Sequence, residues 1–465
     1  MPLKPVKKTL MPQEPALARS HTFGEVNTGY TEVRAQFEAG RCLQCQEAAC
    51  EAGCPVRVPI KAFLYHVSNG DFQEAFDLVA QAHPLPAICG RVCPQESQCE
   101  KLCHMAARFE PVGVGHLERF VADWARTHRQ CRVDGAAAKP TGPRVAIVGS
   151  GPSGLTAAGK LARLGYRITI FEALHEPGGV LRYGIPEFRL PKKILDDEIE
   201  QLKVLGVEIV CNVVVGKTIR LKDLKDEMGF QAVFIGTGAG LPRFLGIPGE
   251  NLNGVYSANE FLTRINLMKA YQFPTSHTPL KVGSRVAVVG AGNTAMDAAR
   301  SALRMGAQEV NVVYRRSEHE MTAREEEYHH AQEEGIVFQW LTNPIRVVGN
   351  ADGWVTGLEC QRMKLGPPDE SGRASPIPTD ELPFTIPMDV VVVAIGTRPN
   401  RLLTKGGELA TTSWGGLVVE ETSGETSEPG IYAGGDAVTG AATVILAAGA
   451  GLRAAAAIHQ KLSNA

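Results

Sequence analysis

No stretch of this chain is long and apolar enough to cross a bilayer. The longest candidate, Ala441 to Leu452, is broken by glycines and ends at Arg453. It falls short of the roughly 20 apolar residues that a spanning helix needs. The opening residues, MPLKPVKKTLMPQEP, carry no apolar h-region, so no secretory leader is expected. A basic run is missing too. The 48 Lys and Arg face 50 Asp and Glu, the net charge is −2, and nucleic acid is not an expected partner. Cysteine is scarce outside one window. Of eleven in the chain, only Cys131, Cys211 and Cys360 lie beyond residues 42–103. The expectation is a soluble, cytoplasmic chain with no membrane segment. Its 465 residues suffice for about three domains with large cores.

The window that does hold cysteine holds eight. Without a secretion signal, such density argues for metal or redox use rather than disulfides. Cys42, Cys45, Cys50 and Cys54 follow the spacing C-x2-C-x4-C-x3-C-P. This resembles the bacterial ferredoxin run, in which the cysteine before proline ligates a different cluster from the first three. Cys89, Cys93, Cys99 and Cys103 form a second group, again with a Cys-Pro step at Cys93-Pro94. Zinc is the alternative, but structural zinc favours paired C-x2-C knuckles, and only Cys42 and Cys45 make one. The spacing favours [4Fe–4S] clusters. Between the groups, Phe63, Leu64, Val67, Phe72, Phe76 and Val79 recur at helical spacing and predict a helical pair over 60–80. Residues 1–30 are polar and dotted with proline, and read as an extended arm.

The chain is organised around Pro143 to Glu172. Val145 to Val148 is a short apolar run expected to form a buried parallel strand. Gly149, Gly151 and Gly154 follow as G-x-G-x-x-G, with Pro152 and Ser153 between the last two. A helix over 155–164 ends at Gly165, and a second strand runs from Arg167 to Phe171. Glu172 then stands about 20 residues past the glycines, where a carboxylate can hold an adenosine ribose. Strand, glycines, helix, strand and acid fall in the order of a dinucleotide-binding unit, with the pyrophosphate at the helix N-terminus. Beyond it, Gly178 and Gly179 would let the chain run close to a ligand, with an ordinary loop as the other reading. Gly179, Leu181 and Arg182 are candidates there. A helix over 192–205 and strands over 207–214 and 232–235 are also expected.

A second unit appears at Arg285 to Asp297, with Gly290, Gly292 and Ala295 at the glycine positions and Asn293 and Thr294 between them. The strand after it, 310–314, ends in Arg315-Arg316 instead of an acid. Arginines there suit a 2′-phosphate, so NADPH is favoured over NADH, a solvated basic pair being the alternative. Residues 319–334 are expected to be a charged helix with a solvated face, and His329 and His330 surface residues without a role. Val390 to Gly396 is another buried strand with a glycine end. Last, Gly435 and Asp436 precede a helix starting at Thr443. Asp436 is expected to bond the polar side of a flavin. One such unit nested in another implies two doubly wound domains, the first completed by the C-terminal segment.

The stretches RCLQC, CEAGCP, LPAICGRVCPQESQCEKLC, GHLERFVADW, VAIVGSGPSGLTAA, GGVLRYGIPEFRLPK, VVGAGNTAMDAAR and GIYAGGDAV together resemble the small (β) subunit family of glutamate synthase. Its relatives include the large subunit of NADH-dependent reduced ferredoxin:NADP oxidoreductase, sulfide dehydrogenase α-type chains and the N-terminal half of dihydropyrimidine dehydrogenase. The resemblance covers nearly the whole chain. It implies an α/β protein, two doubly wound dinucleotide-binding domains of glutathione-reductase type preceded by an α-helical double [4Fe–4S] domain. The implied boundaries are 1–138 for the iron–sulfur domain, 139–254 and 396–465 for the FAD domain, and 255–395 for the NADP domain. It further implies crossed ligation: Cys42, Cys45, Cys50 and Cys103 for one cluster, and Cys54, Cys93, Cys99 and Glu118 for the other. Cys89 is then spare.

The implied cofactors are FAD, NADPH and two [4Fe–4S] clusters. The implied activity is passage of electrons from NADPH through FAD and the clusters to a partner that makes glutamate from glutamine and 2-oxoglutarate. Hydride transfer needs no acid/base dyad, so no catalytic side chain is expected. Disulfide reductases of similar architecture need a cysteine pair beside the flavin, and Gly178 to Arg189 contains none. The family's glutaminase nucleophile is a cysteine after the initiator Met, and residue 2 is Pro2. A partner must therefore complete the reaction: a large amidotransferase/FMN subunit, or, in the alternative reading as an electron-bifurcating NADPH/ferredoxin transhydrogenase or sulfide dehydrogenase-type chain, a ferredoxin-reductase-like subunit.

Overall fold

The computed structural model describes residues 7–128 and 140–464. Cys131, residues 1–6 of the expected arm and the expected boundary at 138/139 lie outside the described residues. The N-terminal part is helical. Thr31 opens α1 (Glu32–Ala39) by accepting the Arg34 N–H. The expected pair forms as α2 (Ile60–Asn69) and α3 (Phe72–Ala82), with Gly70 making the turn at a left-handed φ of 85°. Phe63, Leu64, Val67, Phe72 and Val79 are buried; the apolar stripe read from the sequence is the core face. A short α4 (Pro86–Val92) lies against α5 (Val114–Thr127). Gly90 allows this closeness: a Cβ there would stand 2.4 Å from the Arg119 backbone nitrogen.

Two parallel sheets follow. The first contains β1 (Arg144–Val148), β2 (Arg167–Phe171), β3 (Glu208–Val210) and β4 (Ala232–Ile235). Helix α6 (Pro152–Arg163) follows β1, and α7 (Lys192–Val204) precedes β3. The second sheet contains β5 (Val255–Ser257), β6 (Arg285–Val289), β7 (Glu309–Val313) and β8 (Val337–Gln339). Its helices include α8 (Ala258–Asn266), α9 (Asn293–Arg304) and α10 (Glu325–Glu333). An antiparallel sheet comes next, made of β9 (Thr342–Gly349), β10 (Val355–Pro368), β11 (Ala374–Pro378) and β12 (Phe384–Pro387). Strand β13 (Val390–Val393) returns to the second sheet, between β5 and β6.

The chain then crosses back. β14 (Ile431–Ala433) pairs with β4, so the first sheet reads β14-β4-β1-β2-β3 and the second β5-β13-β6-β7-β8. One doubly wound unit is thus inserted in another. The outgoing and returning crossings run side by side, with Thr397 paired to Pro242 and Arg398 to Leu241. Helix α11 (Val444–Ser463) closes the chain with Thr443 as its N-cap, accepting the Leu446 N–H at 3.3 Å. Among the described residues no helix is long and apolar enough to cross a membrane.

Four expectations need correction. The strand expected over 207–214 is only Glu208–Val210, an edge strand that pairs on one side; Asn212, just past it, takes a left-handed φ of 61° that extended backbone does not adopt. The helix expected over 319–334 is a single 3-10 turn at Glu318–Glu320 followed by α10. His330 is buried, not superficial: its Nε2 lies 2.9 Å from Gln13 Oε1. Nor does the N-terminal segment hang free. Arg19 pairs with Glu333 and Glu334, Val26 donates to the Phe188 carbonyl, and the Phe23 ring stacks on Tyr271 at 4.4 Å. It straps the second nucleotide unit to the first, and Tyr30, beside His116 of α5, ties the helical part to both.

Candidate cofactor sites

The cysteines separate in space as two sets. Cys42, Cys45, Cys50 and Cys103 line a pocket of about 440 Å³ whose other walls include Leu43 and Leu102. All four are half-buried. Cys54, Cys93 and Cys99 are buried and lie within electrostatic reach of one another and of Glu118. The chain therefore divides its first cysteine run: Cys50 goes to the outer set, and Cys54, just past it, goes to the inner. Cys50 sits in the one-turn helix Ala49–Ala52, which ends at Gly53, just before Cys54. Burial pushes the Cys50 thiol up to about 12, helped by Cys103 and Cys42. It pushes Cys54 up to about 11 and Cys99 well above its ordinary range. These thiols are protonated in the bare chain at neutral pH, so loading iron must displace their protons. Four donors per set, mostly soft sulfur in an apolar wall, fit iron–sulfur clusters.

The inner set faces the first nucleotide unit. Gly449, in the first turns of α11, lies so close to the Pro55 carbonyl that a Cβ would meet its oxygen at 2.9 Å. Gly159 of α6 lies likewise against Pro84. The helix that follows β14 thus abuts the loop just past Cys54, and the helix that follows the glycine loop abuts the turn between α3 and α4 that leads to Cys89.

The first glycine loop is tight. A Cβ at Gly154 would meet the Gly149 carbonyl oxygen at 2.0 Å, and one at Gly179 would stand 2.8 Å from the Gly151 Cα. Gly149, Gly151 and Gly179 therefore converge, with Pro152 and Ser153 buried at the start of α6. Glu172 is buried, and its Oε2 accepts the Ser150 N–H at 2.9 Å and the Ser150 hydroxyl. Its Oε1 accepts the Leu174 N–H at 2.8 Å. Gly178 N–H donates to Ser150 Oγ at 2.8 Å. Ser150 thus couples the acid to the glycine pair, a role the sequence did not suggest. Leu181 is fully buried, and Arg182 is committed locally to the Pro177 carbonyl and Asp196. Gly435 and Asp436 follow β14, and burial pushes Asp436 up to about 6. Tyr183 lies within electrostatic reach of both Asp436 and Glu172, so the two acids flank one crevice.

In the second unit, Gly290 lies against the Ala394 carbonyl, where a Cβ would stand at 2.4 Å. Gly292 caps α9 and Thr294 is exposed. Asn293 is already engaged: its Oδ1 accepts the Arg324 N–H at 2.9 Å. The two candidate arginines part company. Arg315 is exposed, whereas Arg316 is buried, donates to the Ala374 carbonyl at 2.8 Å and pairs with Asp369. Arg316 clamps the β10–β11 turn, leaving Arg315 as the member of the pair open to a ligand. Gly396 is exposed at the start of the domain crossing, two residues past Ala394, whose carbonyl lies against Gly290.

The comparisons with known proteins follow the same division. Residues 19–130 match the family described as dihydropyrimidine dehydrogenase domain II, 4Fe-4S cluster. Residues 143–451 match the pyridine nucleotide-disulphide oxidoreductases. The NADPH glutamate synthase small chain of Escherichia coli K12 is 36% identical over 96% of this chain and 95% of its own length. The chain belongs to the glutamate synthase small-chain family. The beta subunit of an NADP(+)-dependent formate dehydrogenase from Moorella thermoacetica is 40% identical over 89% of this chain, which spans 60% of that protein. Two solved structures are similar in fold alone. Mycobacterium tuberculosis FprA in complex with NADPH gives a TM-score of 0.58 at 23% identity, over 70% of this chain and 85% of that one. Lactococcus lactis thioredoxin reductase gives 0.51 at 21%, over 70% and 100%. As a member of the small-chain family, the protein is an oxidoreductase with a 4Fe–4S domain and an FAD- and NADP-binding domain, and members of the wider group are named as subunits of larger enzymes.

Proposed function

We propose that this chain oxidises NADPH and delivers the electrons to a large partner subunit that makes glutamate from glutamine and 2-oxoglutarate. The observation that carries this reading is the division of the cysteines into an inner set against the flavin domain and an outer, half-buried set. Cys54, Cys93, Cys99 and Glu118 would hold the inner [4Fe–4S] cluster, and Cys42, Cys45, Cys50 and Cys103 the outer one. When bound, FAD supplies conversion between two-electron and one-electron chemistry, and the clusters supply single-electron centres.

The chain's own residues provide the rest. Gly149, Gly151, Gly154 and Gly179 let the backbone approach a pyrophosphate, and the N-terminus of α6 favours its charge. Glu172 is placed to accept from ribose hydroxyls. Asp436 and the N-terminus of α11 face the opposite side of the crevice. Gly290 and Gly292 would cradle the second nucleotide, with Arg315 taking the 2′-phosphate. No side chain need move a proton for hydride transfer, and Gly178 to Arg189 contains no cysteine, so the cysteine sets are the exit.

The test is to purify the chain anaerobically, load iron, sulfide and FAD, and supply NADPH with an artificial dye. Dye reduction with bleaching of the iron–sulfur absorbance is the expected outcome, and glutamate formation should follow on addition of an amidotransferase-type large chain. Failure to oxidise NADPH in the fully loaded chain would sink the reading. Electron delivery only to a ferredoxin-reductase-like partner would replace the large subunit by that one.

A further inference from the structure

At the inner cysteine set one group stands outside everything assigned so far. His83 is completely buried and ends α3 in extended backbone, just before Pro84. Its Nε2 lies 3.0 Å from Glu118 Oε1. Its other ring nitrogen, Nδ1, accepts the Leu85 backbone N–H at 3.3 Å. A nitrogen that accepts carries no proton, so the proton is on Nε2, and Nε2–H donates to the Glu118 carboxylate. A ring nitrogen of His83, Cys89 Sγ and a Glu118 carboxylate oxygen all lie within 4.8 Å of one another. Three elements meet here, the end of α3, α4 and α5, held together by the close approach at Gly90.

We infer that His83 is a positioning residue for the inner cluster: by donating Nε2–H to Oε1, it holds the Glu118 carboxylate in one orientation and leaves Oε2 as the oxygen that would hold iron. The inference rests on the proposed ligation by Glu118. A carboxylate on a long side chain needs such a partner to be held in one rotamer, and a donor on its other oxygen tunes what the metal feels. The Leu85 N–H fixes the imidazole in the donating tautomer. Cys89 packs beside the pair as a thiol that the cluster does not use.

The experiment compares the fully loaded wild-type chain with His83→Phe, His83→Gln, Glu118→Ala and Cys89→Ala. The measurements are iron and zinc content, the low-temperature EPR of the reduced clusters, their midpoint potentials and retention of iron against a chelator. In His83→Phe the inner cluster should shift to a more negative potential, because a hydrogen bond to its ligand is lost. It should also lose iron to the chelator roughly ten-fold more readily or worse, while the outer cluster is unmoved. His83→Gln, which keeps an N–H donor, should restore most of both, and Cys89→Ala should leave the cluster signals as they are. An inner cluster unchanged in His83→Phe but altered in Glu118→Ala would overturn the positioning role alone. An inner cluster unchanged in Glu118→Ala but lost in Cys89→Ala would overturn Glu118 as ligand, and the inference with it. One equivalent of zinc in the wild type, lost in both His83→Phe and Cys89→Ala with the cluster signals intact, would make this trio a separate metal site and overturn the inference. Should His83→Phe not assemble, His83→Leu against His83→Gln gives the same comparison.

Discussion

Gly90→Ala puts the architecture of the inner site to a quantitative test. Gly90 lies within α4, one residue past Cys89 and three before Cys93. A methyl group there would stand 2.4 Å from the Arg119 nitrogen, 2.7 Å from its Cα and 2.9 Å from its Cβ. Arg119 is the neighbour of Glu118, and two of these contacts are backbone, which cannot swing aside. Carbon contacts are comfortable at roughly 3.5 Å, so α4 and α5 must separate by about 1 Å. Overpacking of this kind costs about 1–3 kcal/mol. The substitution also gains about 1 kcal/mol of helix propensity, so a net loss of up to about 2 kcal/mol is expected. The larger consequence is geometric. A ligand set tolerates about 0.5 Å of displacement, and this movement would draw Cys93 away from Glu118. Thermal unfolding and iron analysis are the assays. The expected result is a lower Tm with loss of about four irons per chain, as for one [4Fe–4S] cluster, and an EPR spectrum showing the outer cluster alone. A variant with wild-type Tm and full iron would refute the reasoning that close approach at Gly90 builds the site.

At the outer site, Cys103→Ser should remove about four irons and leave the inner EPR signal, whereas full iron content would take Cys103 off the ligand set. Arg315→Ala should raise the KM for NADPH about ten-fold or more, with little change for NADH; an equal loss for both would defeat the phosphate assignment. Arg316→Ala, which frees the β10–β11 turn from its clamp, should lower Tm more than it alters that preference, and a selective loss of NADPH there would reverse the two roles. Acid should loosen the docking of the second nucleotide unit. Burial raises the Glu326 carboxyl, but Arg324 and the imidazoles of His116 and His330 pull it further down, from 4.5 to about 2. Glu334 is held well below its ordinary range by Arg304 and Arg300 against the same burial effect. Because these values are depressed in the folded state, their stabilisation is present above pH 4.5 and lost as the pH falls toward 2, on the order of 3 kcal/mol for Glu326. Glu326→Gln should flatten the acid limb of a Tm-versus-pH curve; an unchanged limb would show that this carboxylate does not carry it.

The order of strand, glycines, helix, strand and acid at 143–172, its echo at 285–314 and the crowding of eight cysteines into 42–103 were legible in the residues alone. Each is a local requirement: a glycine where backbones touch, an apolar run where a strand is covered on both faces, sulfur spaced closely enough to share iron. The nesting of one unit in the other could be read for the same reason, since β13 repeats the glycine-ended form of β4. The length of β3 could not be, because Val207 to Val214 is apolar enough for a longer strand and only the fold turns the backbone at Asn212 into a left-handed φ of 61°. His330 gave no sign of burial, since what covers it is an N-terminal strap 317 residues away at Gln13. Arg315 and Arg316 are the same residue side by side, and only the fold sends one to Asp369 and leaves the other in the open. Cys50 and Cys54 part as the Cys-Pro step suggested, but only the packing of the helical part brings Cys103 to the one and Cys93 and Cys99 to the other. His83 and Glu118, 35 residues apart, carry no shared motif; they meet because Gly90 lets two helices touch. Contacts within a few residues follow from chain chemistry, whereas contacts across a hundred depend on how whole elements pack, and that is where the charge pairs and the inner donor set of this protein are decided.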